Sequence, residues 1–505
     1  MVRLSRHRGF EPVVVALLTC LAAGLLLTNL GNQYLWQDEA QTGVIARTIL
    51  SHGIPLGHDG RNSFSQELGV EYDEGRVWKW HTWLSFYAVA CSLLLFGSEA
   101  AAVRLPFALF GIATVALTYF TARSFWRDRS AAAAAALLLT CSVPFLLLAR
   151  QGRWYSMAAF FTLLGLYAYD RLERGGWKPA ALLFAAATLV FHTHYVYCAT
   201  LLLALLVHAA LFDRDKLRPV LIVCAGVALF NAPWIVWFAT IRYGESYGER
   251  LLDPRQSLRI GSAFVRLALQ FFFYESLLLV PLALAALRLR RRQRVFALAP
   301  RTRRNLWLIA SYGATTLAVL SLVSPGVYFR YLAPLAPPLF VAMGLLLGEL
   351  LRVSKVLGYA ALALLVAAGP VRDFLYEITH DFDGPIEGIV AFLREHGSRG
   401  QTVAISYGDM PLKFYTDFRV IGGLTGEEID VGVPPDWIII RRGTNTHEDE
   451  RVKEILRGFL ASHEYAAHRL SYPDTLFENR EDPRVHRYRT APARVPRVTL
   501  HELER

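Results

Sequence analysis

The stretch VVVALLTCLAAGLLLTNLGNQYLWQDEA, Val13 to Ala40, decides the fold. Its first part, Val13 to Leu30, is an apolar run close to the length of a bilayer crossing. Its last residues, Trp36-Gln37-Asp38-Glu39-Ala40, set two carboxylates just past the end of that run. Carboxylates at the far surface of a membrane are partly desolvated, which suits a general base. The same acids also suit a helix N-terminus, since Ala40 to Leu50 is helix-compatible and negative charge favours the first turn. The two roles are compatible, because a capping acid can also face a cavity.

The rest of the chain repeats the apolar theme. It has 505 residues, of which 54% are hydrophobic, and a mean hydropathy of +0.32, too apolar for a soluble protein of this size. Span-length apolar runs recur through the first 370 residues. The reading is a polytopic α-helical membrane protein with a small C-terminal α/β domain. The formal charge of +11 does not indicate nucleic acid, because Arg and Lys cluster in short loops between apolar runs. All five cysteines lie in apolar segments and have neither metal nor disulfide spacing. The basic start (Arg3, Arg6, Arg8) before an apolar run resembles a signal peptide, but the many later spans favour an uncleaved anchor.

Loop charge predicts the topology. The basic clusters are Arg123 to Arg129, Arg171 to Lys178, Arg214 to Arg218, Arg288 to Arg304 with eight arginines, and Arg352 with Lys355. Placing them on the cytoplasmic side predicts about eleven spans. These lie near 13–30, 103–122, 131–149, 157–172, 178–193, 195–211, 219–238, 262–287, 306–323, 330–350 and 355–370. The N-terminus is then cytoplasmic and the C-terminal domain extracytoplasmic. His81 to Phe96 is short, and a crossing there would invert every later basic loop, so it is expected as an interfacial or re-entrant helix. The domains are then 1–370, with a long outer loop at 31–102, and 371–505. In the latter, helices near 385–397, Pro411 to Tyr415 and 448–461 alternate with strands Thr402 to Ser406 and Trp437 to Ile440, which predicts a partly parallel sheet. There is no GxGxxG and no P-loop, so no nucleotide site is expected.

Besides the outer loop and the soluble tail, the outer face holds the turns around 150–155 and 192–195, the loop 240–261 and the stretch 324–331. Arg150 and Arg153 sit at a membrane boundary where basic residues are scarce, and Arg330 repeats the pattern before Pro334, Pro337 and Pro338. Each could snorkel to headgroups. Two such sites on one face favour guanidinium binding of a phosphate. Trp154, Tyr155 and Tyr331 fit an aromatic belt or a sugar contact. His192 and His194 have poor metal spacing. At least one reads as a plain interfacial histidine, and the other could hydrogen-bond a phosphate or hydroxyl. Lys79 and His81 open the tryptophan-rich stretch Val77 to Trp83, where Lys79 could anchor to lipid or neutralise a phosphate. Glu71, Asp73 and Glu74 read as a solvated acidic loop.

The order of these features resembles the polytopic GT-C glycosyltransferases. The closest groups are the protein O-mannosyltransferase and lipid A aminoarabinose transferase superfamily. The similarity runs through FGSEAAAVRLPFALFGIATVALTYFTARSFW (96–126), LLARQGRWYSMAAFFTLLGLYAYDR (147–171), FHTHYVYCATLL (191–202) and FRYLAPLAPPLF (329–340). It extends loosely to KFYTDFRV (413–420) and FENREDPRVHRY (477–488). The resemblance implies a polyprenyl-phosphate sugar donor and an acceptor bound on the extracytoplasmic face of a bacterial inner membrane. Asp38 would then be the base or orient the acceptor, with Glu39 supporting it. Lys79 falls near a lysine that some members direct to the donor phosphate, although the adjoining proline is absent here. Where some relatives carry an acid after the third span, this chain has Arg153-Trp154-Tyr155-Ser156.

The chemistry agrees with that resemblance. Sugar transfer needs a base for the acceptor hydroxyl and a positive charge for the leaving phosphate. Attack opposite the phosphate would invert the anomeric centre. No cofactor is required, and a divalent metal would help but is not indicated. Lys79, Arg150, Arg153 and Arg330 are the expected phosphate ligands. His81, Trp154, Tyr155, His192, His194 and Tyr331 are the expected substrate contacts. The accepting group is a hydroxyl, or alternatively a phosphate, and the acceptor class stays open among lipid, polysaccharide and protein. The alternative is a multi-pass transporter of an anionic substrate. Transporters usually carry ionisable residues near mid-span and often inverted repeats, and neither is evident here.

Overall fold

The computed structural model describes residues 10–172, 176–237, 254–274, 277–290, 298–324, 326–368, 371–381, 383–442, 447–474 and 495–504. The segment 477–488, most of the loop 240–261 and the middle of the arginine-rich loop 288–304 lie outside the described residues.

The membrane domain begins with α1 (Phe10–Leu27), α2 (Gln37–His52), α3 (Leu84–Phe96) and α4 (Ala100–Trp126). Next come α5 (Arg129–Cys141), α6 (Val143–Ala149), α7 (Tyr155–Arg171), α8 (Trp177–Thr193), α9 (Tyr195–Phe212) and α10 (Leu217–Trp237). It closes with α11 (Pro254–Tyr274), α12 (Leu279–Arg290), α13 (Pro300–Val323), a 3-10 turn (Phe329–Leu335), α14 (Ala336–Val353), α15 (Lys355–Ala368) and α16 (Val371–Thr379). Among the described residues, five helices are long and apolar enough to cross a membrane, or seven if each of two bent pairs is one span. One bent pair is α5–α6, where the expected span 131–149 breaks at 65° next to Pro144. The expected span 262–287 falls on two helices, α11 and α12. With 13 residues, α3 is about 20 Å long, short of the ~30 Å hydrocarbon core.

The centre of the bundle is packed through small residues. The alanine run of α5 meets Gly344 and Gly348 of α14, where a Cβ on Gly344 would lie 2.4 Å from the Ala131 carbonyl oxygen. Only glycine allows that backbone approach, the usual way membrane helices gain contact when there is no water to expel. All five cysteines are free thiols.

The C-terminal part carries α17 (Pro385–His396), β1 (Thr402–Ile405), α18 (Asp409–Tyr415), β2 (Arg419–Gly422), β3 (Trp437–Ile439), α19 (His447–Ser462), β4 (Tyr465–Pro473) and β5 (Arg497–Leu503). The helices and the two strands read from the sequence are all present. The sheet order is β2-β1-β3-β5-β4, parallel across β2-β1-β3 and antiparallel across β3-β5-β4. Strand alternation explains its two cores. Val403, Ile405, Trp437 and Ile439 face α17 and α18, whereas Ala404 and Ile438 face α19.

Candidate active site

The site is built from the first turn of α2. Glu39, three residues after the N-cap Trp36, reaches back to accept from the Trp36 N–H at 3.4 Å. Its carboxylate is buried and points into the bundle. There Arg104 of α4 donates to it twice, at 2.9 and 2.7 Å, and the Gly152 N–H donates at 2.6 Å. Arg104 also donates to the carbonyls of Leu30, Gln33 and Tyr34. Glu39 and Arg104 thus fasten the entry of α2 to α4 and to the turn before α7. Asp38, one residue earlier and about 100° round the helix, faces the other way.

Asp38 lines a cavity of ≈ 170 Å³ together with Arg153, Trp154, Tyr155, His81, His194, Arg330 and Tyr331. Eight of the predicted site residues, Asp38 included, therefore line it. Its Oδ2 stands 3.9 Å from Arg153 Nη2 and 3.7 Å from Arg330 Nη2, and Gln66 Nε2 donates to Oδ1 at 3.4 Å. These contacts are long for hydrogen bonds, so the carboxylate is balanced by two cations without being tightly bound to either. Arg153 is held by the Asp38 carbonyl at 3.1 Å and the Thr42 hydroxyl at 3.2 Å. Arg330 lies over the rings of Tyr328, Trp36 and Tyr331, at 4.2, 5.7 and 5.7 Å.

An aromatic wall completes one side. The His81 and His194 rings are 6.1 Å apart, and His194 packs on Trp154 at 4.4 Å. Among the described residues, the buried Nδ1 of each histidine has no hydrogen-bond partner. Burial first, and the nearby Arg153 charge second, lower both histidine pKa values, so both rings are neutral at physiological pH. A neutral imidazole offers a ligand hydroxyl one donor and one acceptor.

Four predicted residues lie elsewhere. Glu39 is turned to Arg104 rather than to the cavity. Arg150 donates to the carbonyls of Leu25, Leu26, Thr28 and Asn29 and so caps the end of α1. Lys79 pairs with Asp73 at 2.7 Å and lies over Trp237 at 5.2 Å. His192 packs on Trp234 at 5.2 Å.

The acidic loop corrects the sequence reading. Glu74 is exposed and Asp73 half-buried, but Glu71 is buried and lines the cavity with Glu67, Gln66 and Gln41. Glu71 accepts from the Ser65 hydroxyl and, at 2.7 Å, from the Gln66 N–H. No periodicity signals this, because the loop is held by side-chain hydrogen bonds rather than by a regular element. Burial pushes the Glu71 carboxyl up to about 7, although both hydrogen bonds oppose the shift. With its folded value above the ordinary 4.5, the folded protein holds more protons than the unfolded chain between those pH values. Stability therefore falls as pH rises from about 4.5 through about 7. Glu71→Gln is expected to flatten that dependence. Thermal midpoints in detergent at pH 5 and pH 8 should differ less in the variant than in wild type, and equal slopes would refute the assignment.

A second cavity of ≈ 220 Å³ shares Tyr155 with the first and is walled by apolar residues of α6, α7, α13 and the 3-10 turn, including Phe145, Leu148, Leu317, Phe329 and Leu332. Among the described residues, no three His, Cys, Asp or Glu side chains converge as a metal site.

Comparison with known proteins agrees with this architecture. Residues 80–237 match the family model for dolichyl-phosphate-mannose-protein mannosyltransferase, a segment that includes Arg153 and His194 but neither Asp38 nor Arg330. No curated protein matches the sequence. The fold is similar to ArnT from Cupriavidus metallidurans in the apo state, with TM-score 0.61, 14% identity and 98% of each chain covered. It is also similar to ArnT bound to undecaprenyl phosphate, with TM-score 0.57, 13% identity, and 96% of this chain and 97% of that one covered. A third similar structure is the archaeal oligosaccharyltransferase AglB from Archaeoglobus fulgidus, in complex with an inhibitory peptide and a dolichol-phosphate. Its TM-score is 0.55 at 12% identity, covering 93% of this chain and 75% of that one. At these identities the likeness is one of fold. The resemblance read from the sequence is borne out by the mannosyltransferase family model over residues 80–237 and, against ArnT and AglB, by fold alone.

Proposed function

We infer that this multi-pass membrane protein is a GT-C glycosyltransferase that moves a sugar from a polyprenyl-phosphate donor to a hydroxyl on its extracytoplasmic face. One observation carries the reading: Asp38 stands between Arg153 and Arg330 in a polar cavity that shares Tyr155 with an apolar one. That pairing of a charged chamber with a greasy one suits a lipid phosphate, which needs both. The isoprenoid chain occupies the apolar cavity and the phosphate meets the two guanidinium groups.

The phosphate then replaces Asp38 as the counter-ion of the arginines. The freed carboxylate takes the proton of the acceptor hydroxyl. The acceptor oxygen bonds to the anomeric carbon, the bond from that carbon to the phosphate oxygen breaks, and its electron pair stays on the phosphate. Arg153 and Arg330 stabilise that charge, and no cofactor enters the step. Attack opposite the phosphate inverts the anomeric centre, and a product of retained configuration would overturn this part of the reading. The sugar lies along Trp154 and the neutral histidines His81 and His194. The proposed setting is a bacterial inner membrane, with the acceptor a lipid, polysaccharide or protein.

The test is transfer by purified protein in nanodiscs, with a panel of radiolabelled polyprenyl-phosphate sugars and total membrane lipid as acceptor. Labelled product from one donor supports the reading. Uptake of an anion into sealed vesicles, without transfer, would replace it with a transporter. Arg330→Gln is expected to raise KM for the donor about 10- to 150-fold, from the loss of about 1.5–3 kcal/mol in charge-assisted hydrogen bonding. An unchanged KM would remove Arg330 from the phosphate site.

A further inference from the structure

The segment KFYTDFRV, on and after α18, is the strip by which the C-terminal domain grips α2 and the outer loop. Phe414 packs on Gly43 of α2 so closely that a Cβ there would lie 2.6 Å from its ring, and Arg47 lies over the same ring at 3.7 Å. The Tyr415 hydroxyl accepts from the Leu35 N–H at 3.0 Å, and its ring stacks on Tyr34 at 3.9 Å. The Asp417 and Phe418 carbonyls accept from Arg61 and Asn62.

One contact from the start of the same helix reaches the residue beside Asp38. Asp409, at the start of α18, is buried and accepts from Gln37 Nε2 at 2.6 Å. Its other oxygen is held by Lys413 at 2.8 Å, inside the same helix and also buried. Gly423 makes room for this carboxylate, since a Cβ there would lie 2.5 Å from it. A buried ion pair is weak support for stability, because its desolvation offsets its attraction. Here it presents one oriented acceptor to Gln37. Asp38 is thus flanked by two pinned neighbours: Glu39 is fixed by Arg104 of the membrane domain, and Gln37 by Asp409 of the C-terminal domain.

We propose that Asp409 is a positioning residue for Asp38, acting through Gln37, so that the C-terminal domain is part of the catalytic unit. This rests on Asp38 being the base. The contact fixes the azimuth of the first turn of α2, and with it the direction in which the Asp38 carboxylate points. A displacement of about 1 Å at such a group can cost on the order of 100-fold in rate.

The test uses the full chain in nanodiscs. Asp409→Leu with Lys413→Met removes the acceptor without stranding a buried lysine. Asp409→Asn with Lys413→Met keeps an oxygen for Gln37. The Leu/Met pair is expected to lower kcat at least tenfold, leave the Kd for undecaprenyl phosphate within twofold, and speed amide exchange in 35–42 alone. The Asn/Met pair is expected to restore both kcat and protection. Unchanged kcat, or unchanged exchange in 35–42, would overturn the proposal. So would faster exchange throughout the membrane domain with loss of undecaprenyl phosphate binding, which marks a merely structural pair. If wild type transfers no sugar, the glycosyltransferase reading fails, and the exchange data alone still decide whether Asp409 orders the first turn.

Discussion

Asp38→Asn is expected to lower kcat by about three orders of magnitude, within the range for loss of a general base. The amide keeps the size of the side chain and can still accept from Gln66, so the cavity should keep its shape. The charge is what disappears. That charge balances Arg153 and Arg330. Removing it leaves two guanidinium groups available to a phosphate, so the Kd for undecaprenyl phosphate should stay the same or fall. Lost turnover with retained or tighter binding is the signature of a base that also serves as counter-ion. If binding fell together with kcat, Asp38 would be a binding residue instead. Retained kcat would exclude it as the base.

Arg104→Met should have the largest effect on stability. The guanidinium is buried and makes two bonds to Glu39 and three to backbone carbonyls. Truncating it strands the Glu39 carboxylate in the bundle, with the Trp36 and Gly152 N–H groups as its remaining donors. Breaking one side of a buried pair costs about 3–5 kcal/mol. Arg104→Met combined with Glu39→Gln should recover part of that, because no charge is then left alone. The measurement is thermal unfolding of wild type, the two single variants and the double variant as a double-mutant cycle. A coupling below about 0.5 kcal/mol would mean that the pair does not tie α2 to α4.

The sequence carried the membrane domain through the lengths of its apolar runs and carried the C-terminal sheet through its alternating pattern. The break of α5–α6 was hidden, because Pro144 sits inside a mainly apolar run without a charged residue. At the site, Asp38, Arg153 and Arg330 could be read because a charge beside an apolar run stands out. Arg104 could not be separated in the same way. It lies in the first turns of an apolar helix, and only tertiary structure shows that Glu39 meets it. Lys79 and Arg150 had the right charge and position along the chain. Their partners, Asp73 and the end of α1, come from segments whose approach no local pattern records. Glu71 was missed because polarity suggested solvent, whereas the loop folds it inward.

The two sides of the cavity differ in how they are built. Asp38, Arg153 and Arg330 stand on helix starts and tight turns anchored in the bundle, whereas Gln66, Glu67, Glu71 and Trp80 belong to an irregular loop outside it. That loop is tied by the buried rings of Phe64 and Trp78 and by polar side chains, among them His58 to Glu428 and Tyr72 to Glu427. Insertions and substitutions are tolerated far better in such a segment than in a packed helix. Evolution can therefore remodel one wall of the chamber while the other stands still. Relatives sharing this frame would diverge first in which cargo they accept and last in how they transfer it.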